Sequence, residues 1–334
     1  MKHIYFFIIT LILGGYNAAK NSNDDKDILI RFFNATGGTE WKNTWDLESD
    51  MKDWYGVKVN EQGEVVELIL TNNNLSGEIP EEIYSLSKLA VLKLNYNTLE
   101  GVISKKIKNL RAVKEIDLSG NKLTGGIPSE IGSLTLLKDL NLGSNPLNGT
   151  IPASIGNLIE LESLWINSAG LKGAIPAEIG NLKNLSSLIL YYNSLEGPLP
   201  KEIGNLSELT ELELTNNQIN GKLPVEIWNL TNISHLALSN NKISGVIPPE
   251  IQNLKNLKML NIGLNSFEGN IPKEIGNIET LFRISLGDNS LSGKIPMELL
   301  NLKKLTYLDL ENNNFDKSSI EEIRKHISIE NLYL

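Results

Sequence analysis

The chain has 334 residues, 41% hydrophobic and 21% charged, a balance that excludes intrinsic disorder. A formal charge of −9, from 31 Lys+Arg against 40 Asp+Glu, argues against a nucleic-acid binder, which needs a basic face for phosphates. With no cysteine there is no disulfide, thiolate metal site or cysteine nucleophile, and three histidines leave little for histidine chemistry.

Residues 1–19 have the pattern of an export signal. Lys2 and His3 precede an apolar run from Ile4 to Leu13, Gly14 and Gly15 end it, and Ala18 and Ala19 mark a plausible cleavage site. The run is shorter than the roughly 20 apolar residues that span a bilayer, and no later run approaches that length, so no transmembrane segment is expected. Leu13-Gly14-Gly15-Tyr16 is similar to a bacterial lipobox with tyrosine in the place of the lipidated cysteine, so no lipid is expected either. Residues 24–66 then hold a helical-looking start, Asp27 to Phe33, and three tryptophans, Trp41, Trp45 and Trp54.

The next stretch is periodic. Asn73, Asn97, Asn121, Asn145, Asn193, Asn217, Asn241, Asn265, Asn289 and Asn313 recur with a step of 24, and Ala169 stands at the one missing rung. Prolines from Pro80 to Pro296 and glycines from Gly77 to Gly293 keep the same step. One unit, from Leu182, reads LKNLSSLILYYNSLEGPLPKEIGN. Leu188 and Leu190 alternate with outward residues, the period of a short strand with one buried face. Asn193 follows where the chain turns inward, and its amide can both donate to and accept from backbone groups of adjacent coils. Gly197 permits backbone angles closed to other residues, and Pro200 fixes φ in a tight return. Leu182, Leu185, Leu195, Leu199, Ile203 and Leu206 fill the interior. No unit can bury its own apolar edge, so the units must stack.

Toward the end the repeat fades. Lys317 replaces the repeat glycine, and Ser318 or Ser319 is expected to cap a helix running through Ile320, Ile323 and Ile327. A final strand, Asn331-Leu332-Tyr333-Leu334, keeps Leu332 and Leu334 in register with Leu308 and Leu310. Its outer edge would be able to pair with a second copy, which makes a homodimer an expectation.

The pattern LxxLxxLxLxxNxLxGxIPxxIGxL resembles the plant-type leucine-rich repeat, found in receptor-kinase ectodomains, polygalacturonase-inhibiting proteins and secreted proteins of bacteria and protists. The match covers about residues 67–315, about eleven units. The resemblance implies an α/β repeat solenoid, a right-handed superhelix with a concave parallel β-sheet and a 3₁₀ or irregular convex side. It divides the chain into a signal peptide (1–19), an N-terminal cap (20–66), the repeats (67–315) and a C-terminal cap of helix plus edge strand (316–334). Asp53-Trp54-Tyr55-Gly56-Val57 looks like the family's N-terminal cap, but Met51 and Val59 stand near it where paired cysteines are usual, so this cap must hold by aromatic burial alone.

In such a fold the outward positions of the concave sheet can be enumerated by alternation. They give nine carboxylates (Glu67, Glu115, Asp117, Asp139, Glu211, Glu213, Asp288, Asp309 and Glu311) against Lys93 and Arg283 alone. Between the acidic flanks, Asp117 and Asp139 on one side and Glu211 and Glu213 on the other, lie Trp165, Ile189, Tyr191 and Tyr192, with Tyr96 nearer the N-terminus. Large rings bury area with little loss of rotamer freedom, so this patch is the candidate binding site. Ala169 shares the unit of Trp165, and the missing amide is filled by Asn167, Ser168 or water unless the site leaves it open.

Catalysis finds little support. His235 and His326 lie about four units apart, so they form no triad or metal cluster. Glu211 and Glu213, roughly 6.5–7 Å apart along one strand, overlap the spacing of inverting glycosidases, yet an open sheet offers no low-dielectric pocket to raise one pKa. Glu115 and Asp139 together fall short of the 6–8 oxygens of a Ca²⁺ site. No metal or cofactor is expected. Seven Asn-x-Ser/Thr triplets, at Asn34, Asn74, Asn148, Asn184, Asn205, Asn229 and Asn232, matter only in a eukaryotic secretory pathway.

The expectation is a secreted or cell-surface recognition module, non-catalytic, binding a protein, a peptide (a basic one suits the carboxylates) or a cell-surface glycan on the concave face. The alternative is a structural or adhesive protein acting through self-association or polymer contact. Ice binding by a regular array is disfavoured, because neighbours such as Asn141, Trp165, Ile189 and Glu213 differ in size and charge.

Overall fold

The structure, a computed structural model, describes residues 25–334; the expected export signal (1–19) and the first residues of the cap lie outside the described residues. Each 24-residue unit makes one coil. Leu182, Leu185, Leu188, Leu190, Leu195, Leu199, Ile203 and Leu206 are all buried, as their spacing predicts, each contributing roughly 1.5–3 kcal/mol. Stacking aligns the outward-facing strands in a thirteen-stranded sheet, parallel throughout except for the first pair, where Val57–Val59 runs antiparallel to Val65–Ile69. Opposite it, each coil from Glu81–Ser85 to Met297–Asn301 turns through a five-residue 3₁₀ segment, most often entered from a proline already held at the φ the turn needs.

The asparagines form the expected ladder. Asn121 Nδ2 donates to Leu118 O (2.9 Å) in its own coil and to Leu94 O (3.0 Å) in the coil before, while its Oδ1 accepts the Leu99 N–H. At Ala169 the ladder lacks a rung, and neither the Asn167 nor the Ser168 side chain fills it. Instead Asn193 Oδ1 accepts the Ala169 and Leu171 N–H groups, its Nδ2 donates to Ile166 O (2.7 Å), and the Leu147 N–H turns to Asn145 O. Asn193 thus keeps the bonds that its counterparts make, and Leu142 O is left with Asn145 alone as side-chain donor among the described residues.

The convex side departs from the expected irregular backbone. Residues after each ladder asparagine, such as Ser194–Gly197, form a second parallel sheet, seven-stranded from Lys172–Gly173 to Asn314–Phe315. Ser194 and Glu196 face out and Leu195 faces in, the period of a strand. The second sheet is interrupted at Pro146. In regular coils the residue after the ladder asparagine donates to the coil before, as Lys122 N–H does to Leu99 O, but Pro146 has no N–H to give. No bridge joins Leu123–Gly126 to Pro146–Thr150.

A glycine column controls the spacing of the 3₁₀ segments. A Cβ at Gly132, Gly156, Gly180, Gly204 or Gly276 would stand 2.3–2.4 Å from a carbonyl oxygen of the following coil. Tyr84 and Trp228 occupy this column and are buried, and the turn that follows each differs in sequence. Ser104 replaces proline after Tyr84, and a Pro248-Pro249 pair follows Trp228, with Pro248 at ψ 162° against about 140° for Pro224. Burial pushes the Tyr84 phenol up to about 12.

Both ends are closed by atypical structure. The first helix, α1 (Asp25–Ala35), buries Ile28, Leu29, Phe32 and Phe33 at helical spacing, and the Asp25 carboxylate accepts the Val65 N–H. Phe33 and Trp41 meet edge to face at 5.1 Å, and Trp45 stacks on Trp54 at 4.7 Å. Each buried indole N–H has a carbonyl partner, Thr36 O, Tyr55 O and Asp46 O in turn. The aromatic cluster is thus fully satisfied without cysteines. At the other end α2 spans Lys317–His326, beginning earlier than expected. Ser318 and Ser319 lie inside it and Asp316 precedes it, so neither serine is the N-cap. Ser319 is buried, and its Oγ accepts the Ile295 N–H of the preceding coil. The last strand, Asn331–Tyr333, pairs in parallel with Tyr307–Asp309 in the expected register, Leu332 opposite Leu308.

Candidate recognition surface

The long sheet places Trp165 at the end of Ser163–Trp165, outward of buried Leu164 and between Asn141 and Ile189 on the adjoining strands. Trp165 is 43% exposed. Nε1 donates to Ser187 Oγ at 3.0 Å, and Ser187 Oγ donates to Glu211 Oε2 at 3.2 Å. The indole therefore leans over the next strand, held by a relay that crosses three strands. One expectation is corrected here: Ile189 points outward by alternation, but it is buried, 9% exposed, and presents almost no surface to a ligand. Alternation gives a side chain's direction and says nothing of what its neighbours lay over it.

On the other side of Trp165 lies a depression of about 310 Å³, lined by Lys93, Glu115, Asp117, Asp139, Asn141, Ser163 and Trp165 over a floor of Ile116 and Leu140. Lys93 Nζ meets Glu115 Oε2 at 2.6 Å, and this contact with the carboxylate holds the ammonium above the usual lysine range. Asp117 Oδ1 accepts from the Ser119 N–H and, at 2.6 Å, from Ser119 Oγ. Among the described residues the Asp139 carboxylate makes no hydrogen bond or ion pair. Glu115 and Asp139 are lateral neighbours, as expected. Among the described residues no three His, Cys, Asp or Glu side chains converge as a metal site.

Tyr191 and Tyr192 are not on the same plane as Trp165. Tyr191 is half-buried at the strand's end, and Tyr192 takes a left-handed backbone conformation, φ 53°, in the turn beyond. Their rings meet edge to face at 5.6 Å, and Tyr192 is 62% exposed. Tyr96 occupies the equivalent turn four coils earlier, at φ 57°, with its ring against Gly120. The three tyrosines thus mark a rim, and Trp165 with the carboxylates marks the sheet.

Glu211 and Glu213 flank the relay. Burial pushes the Glu213 carboxyl above its ordinary value, against the opposing hydrogen bonds from Thr215, with Glu211 adding a smaller push. The open sheet thus does what the sequence did not predict, partly desolvating one of the two carboxylates. Sequence reading also missed an aromatic and cationic cluster toward the C-terminal end. The Arg283 guanidinium lies 3.8 Å from the Tyr307 ring centroid, and Tyr307 lies 5.5 Å from Tyr333. Both tyrosines sit at outward positions that the alternation rule reaches.

A sequence profile described as "Leucine-rich repeat region" matches residues 73–219 and 192–332. The chain belongs to the leucine-rich repeat family. It is 41% identical over 61 residues to a probable leucine-rich repeat receptor-like protein kinase of Arabidopsis thaliana, a match covering 16% of this chain and 6% of the kinase. Among solved structures it resembles the Arabidopsis receptor kinase HAESA in complex with the peptide hormone IDA and the co-receptor SERK1. That likeness has a TM-score of 0.82 at 31% identity and covers 93% of this chain and 53% of the receptor chain. A plant ice-binding protein is also similar, with a TM-score of 0.74 at 25% identity over 88% of this chain and 95% of its own. The chain thus spans about half of the receptor chain it resembles. It has the plant-type leucine-rich repeat architecture. No helix among the described residues is long and apolar enough to cross a membrane.

Proposed function

We propose that the protein is a non-catalytic recognition module that acts outside the cell and binds a peptide or protein on its concave sheet around Trp165. The observation that carries this reading is an exposed indole held by the Ser187–Glu211 relay beside a carboxylate-lined depression. A fixed ring loses little conformational freedom on binding, and fully desolvated aromatic anchors dominate interface energies. The carboxylates favour a basic partner and speed its approach. The HAESA structure, with its bound peptide hormone, supports peptide recognition by this architecture.

The test begins with capture of partners from secreted and surface extracts on the immobilised protein, followed by direct titration of a purified partner. Trp165→Ala is expected to weaken binding about tenfold or more while leaving the thermal midpoint nearly unchanged. Retained affinity would move the site elsewhere on the solenoid.

A further inference from the structure

We propose that the depression beside Trp165 seats the guanidinium of an arginine side chain from the bound peptide, stacked on the indole and hydrogen-bonded to Asp139. This rests on the recognition reading above and narrows it to one chemical group.

Charge comes first. The lining holds three carboxylates and one ammonium, and the two members of the Lys93–Glu115 pair answer each other at 2.6 Å. Asp117 is engaged by Ser119. The Asp139 carboxylate lines the cavity with no hydrogen bond or ion pair among the described residues, Lys93 and Lys138 acting on it only at longer range, so a ligand that completes the site carries positive charge and donates hydrogen bonds.

Shape comes second. At about 310 Å³ the depression sits at the small end of ligand pockets, which run to about 1,000 Å³, so it suits one side chain. Asp139 and Trp165 are diagonal neighbours on adjoining strands, Asp139 beside Ser163 and Asn141 beside Trp165. Strand spacing and rise put such positions roughly 8 Å apart. From backbone positions that close, both the Asp139 carboxylate and the indole reach the depression they line, so one flat group seated there can touch the ring and donate to the carboxylate. A guanidinium is flat, stacks on aromatic faces and offers forked donors, whereas an ammonium is a compact, strongly hydrated point charge. The same sheet already makes this contact within itself, where Arg283 lies over Tyr307 at 3.8 Å.

The experiment uses the full chain labelled with ¹⁵N at tryptophan, with the Trp165 indole resonance identified by its absence in Trp165→Phe. The probe is the tripeptide acetyl-Gly-Arg-Gly-amide, compared with its citrulline and lysine counterparts. A saturable shift of the Trp165 signal in the millimolar range is expected for arginine, with affinity at least about fivefold weaker for citrulline and lysine. Asp139→Asn is expected to weaken arginine binding by at least about fivefold with an unchanged thermal midpoint. No shift, an equal response to citrulline or lysine, or indifference to Asp139→Asn would overturn the proposal. The purified partner separates the two readings. Binding lost in Trp165→Ala but kept in Asp139→Asn ends the arginine seat alone, and binding kept in both ends the recognition reading at this site.

Discussion

Ser187 Oγ stands between Trp165 Nε1 and Glu211 Oε2, accepting from one at 3.0 Å and donating to the other at 3.2 Å. The orientation of the exposed indole is therefore set two strands away from its own backbone. Ser187→Ala removes both bonds and leaves the ring free to rotate. Partner binding is expected to weaken by about 0.5–1.5 kcal/mol, the net worth of such a bond, chiefly through faster dissociation. Surface plasmon resonance would show it, and an unchanged dissociation rate would mean that packing alone fixes the ring.

The gap at Ala169 makes the rungs unequal. Removing Asn121 leaves Leu94 O with Asn97 and Leu118 O with Asn145. Removing Asn193 leaves Ile166 O without its only side-chain donor and the Ala169 and Leu171 N–H groups without an acceptor. Asn193→Ala is expected to destabilise more than Asn121→Ala, by about 1–3 kcal/mol. Urea titration of the two variants side by side checks the order.

Gly180 lets two coils approach where a Cβ would stand 2.4 Å from Glu202 O. Gly180→Ala must part the coils and is expected to destabilise by about 1–3 kcal/mol. A thermal midpoint equal to that of the parent would show that the stack yields there without strain.

Burial raises the Glu213 carboxyl above its ordinary value of 4.5, so folding favours the protonated form. The folded state then binds more protons than the unfolded chain between the two values. The stability this group contributes is fully present below pH 4.5 and is lost as pH rises through the folded value. Glu213→Gln keeps an oxygen to accept the Thr215 N–H and cannot ionise. At neutral pH its thermal midpoint is expected to match or exceed that of the parent, with the difference closing on acidification. A variant less stable at neutral pH would overturn this assignment.

The coil, its buried leucines and the asparagine ladder were legible in sequence because each follows from a period that one unit repeats. The second sheet was not read, although Ser194, Leu195 and Glu196 alternate as a strand should, because three residues carry a weak signal beside the longer repeat pattern. The candidate site was half legible. Trp165, Asp117 and Asp139 come together, but Ile189 is covered, and the Tyr191–Tyr192 pair belongs to the rim. Those outcomes depend on how one side chain lies over the next strand, which alternation along a single strand does not encode. Tyr307 differs in kind, since its outward position followed from the rule already in use.

Pro146 has a mechanical consequence. Coils on either side of it are joined through the long sheet, the asparagine ladder and the 3₁₀ packing, but not through the second sheet that braces the coils from Lys172 onward. Tension applied to the two ends of the solenoid would open this seam before the doubly braced stretch. It lies one coil before Trp165, so a ligand bridging Asp117, Asp139 and Trp165 would also clasp a joint that the second sheet leaves unbraced.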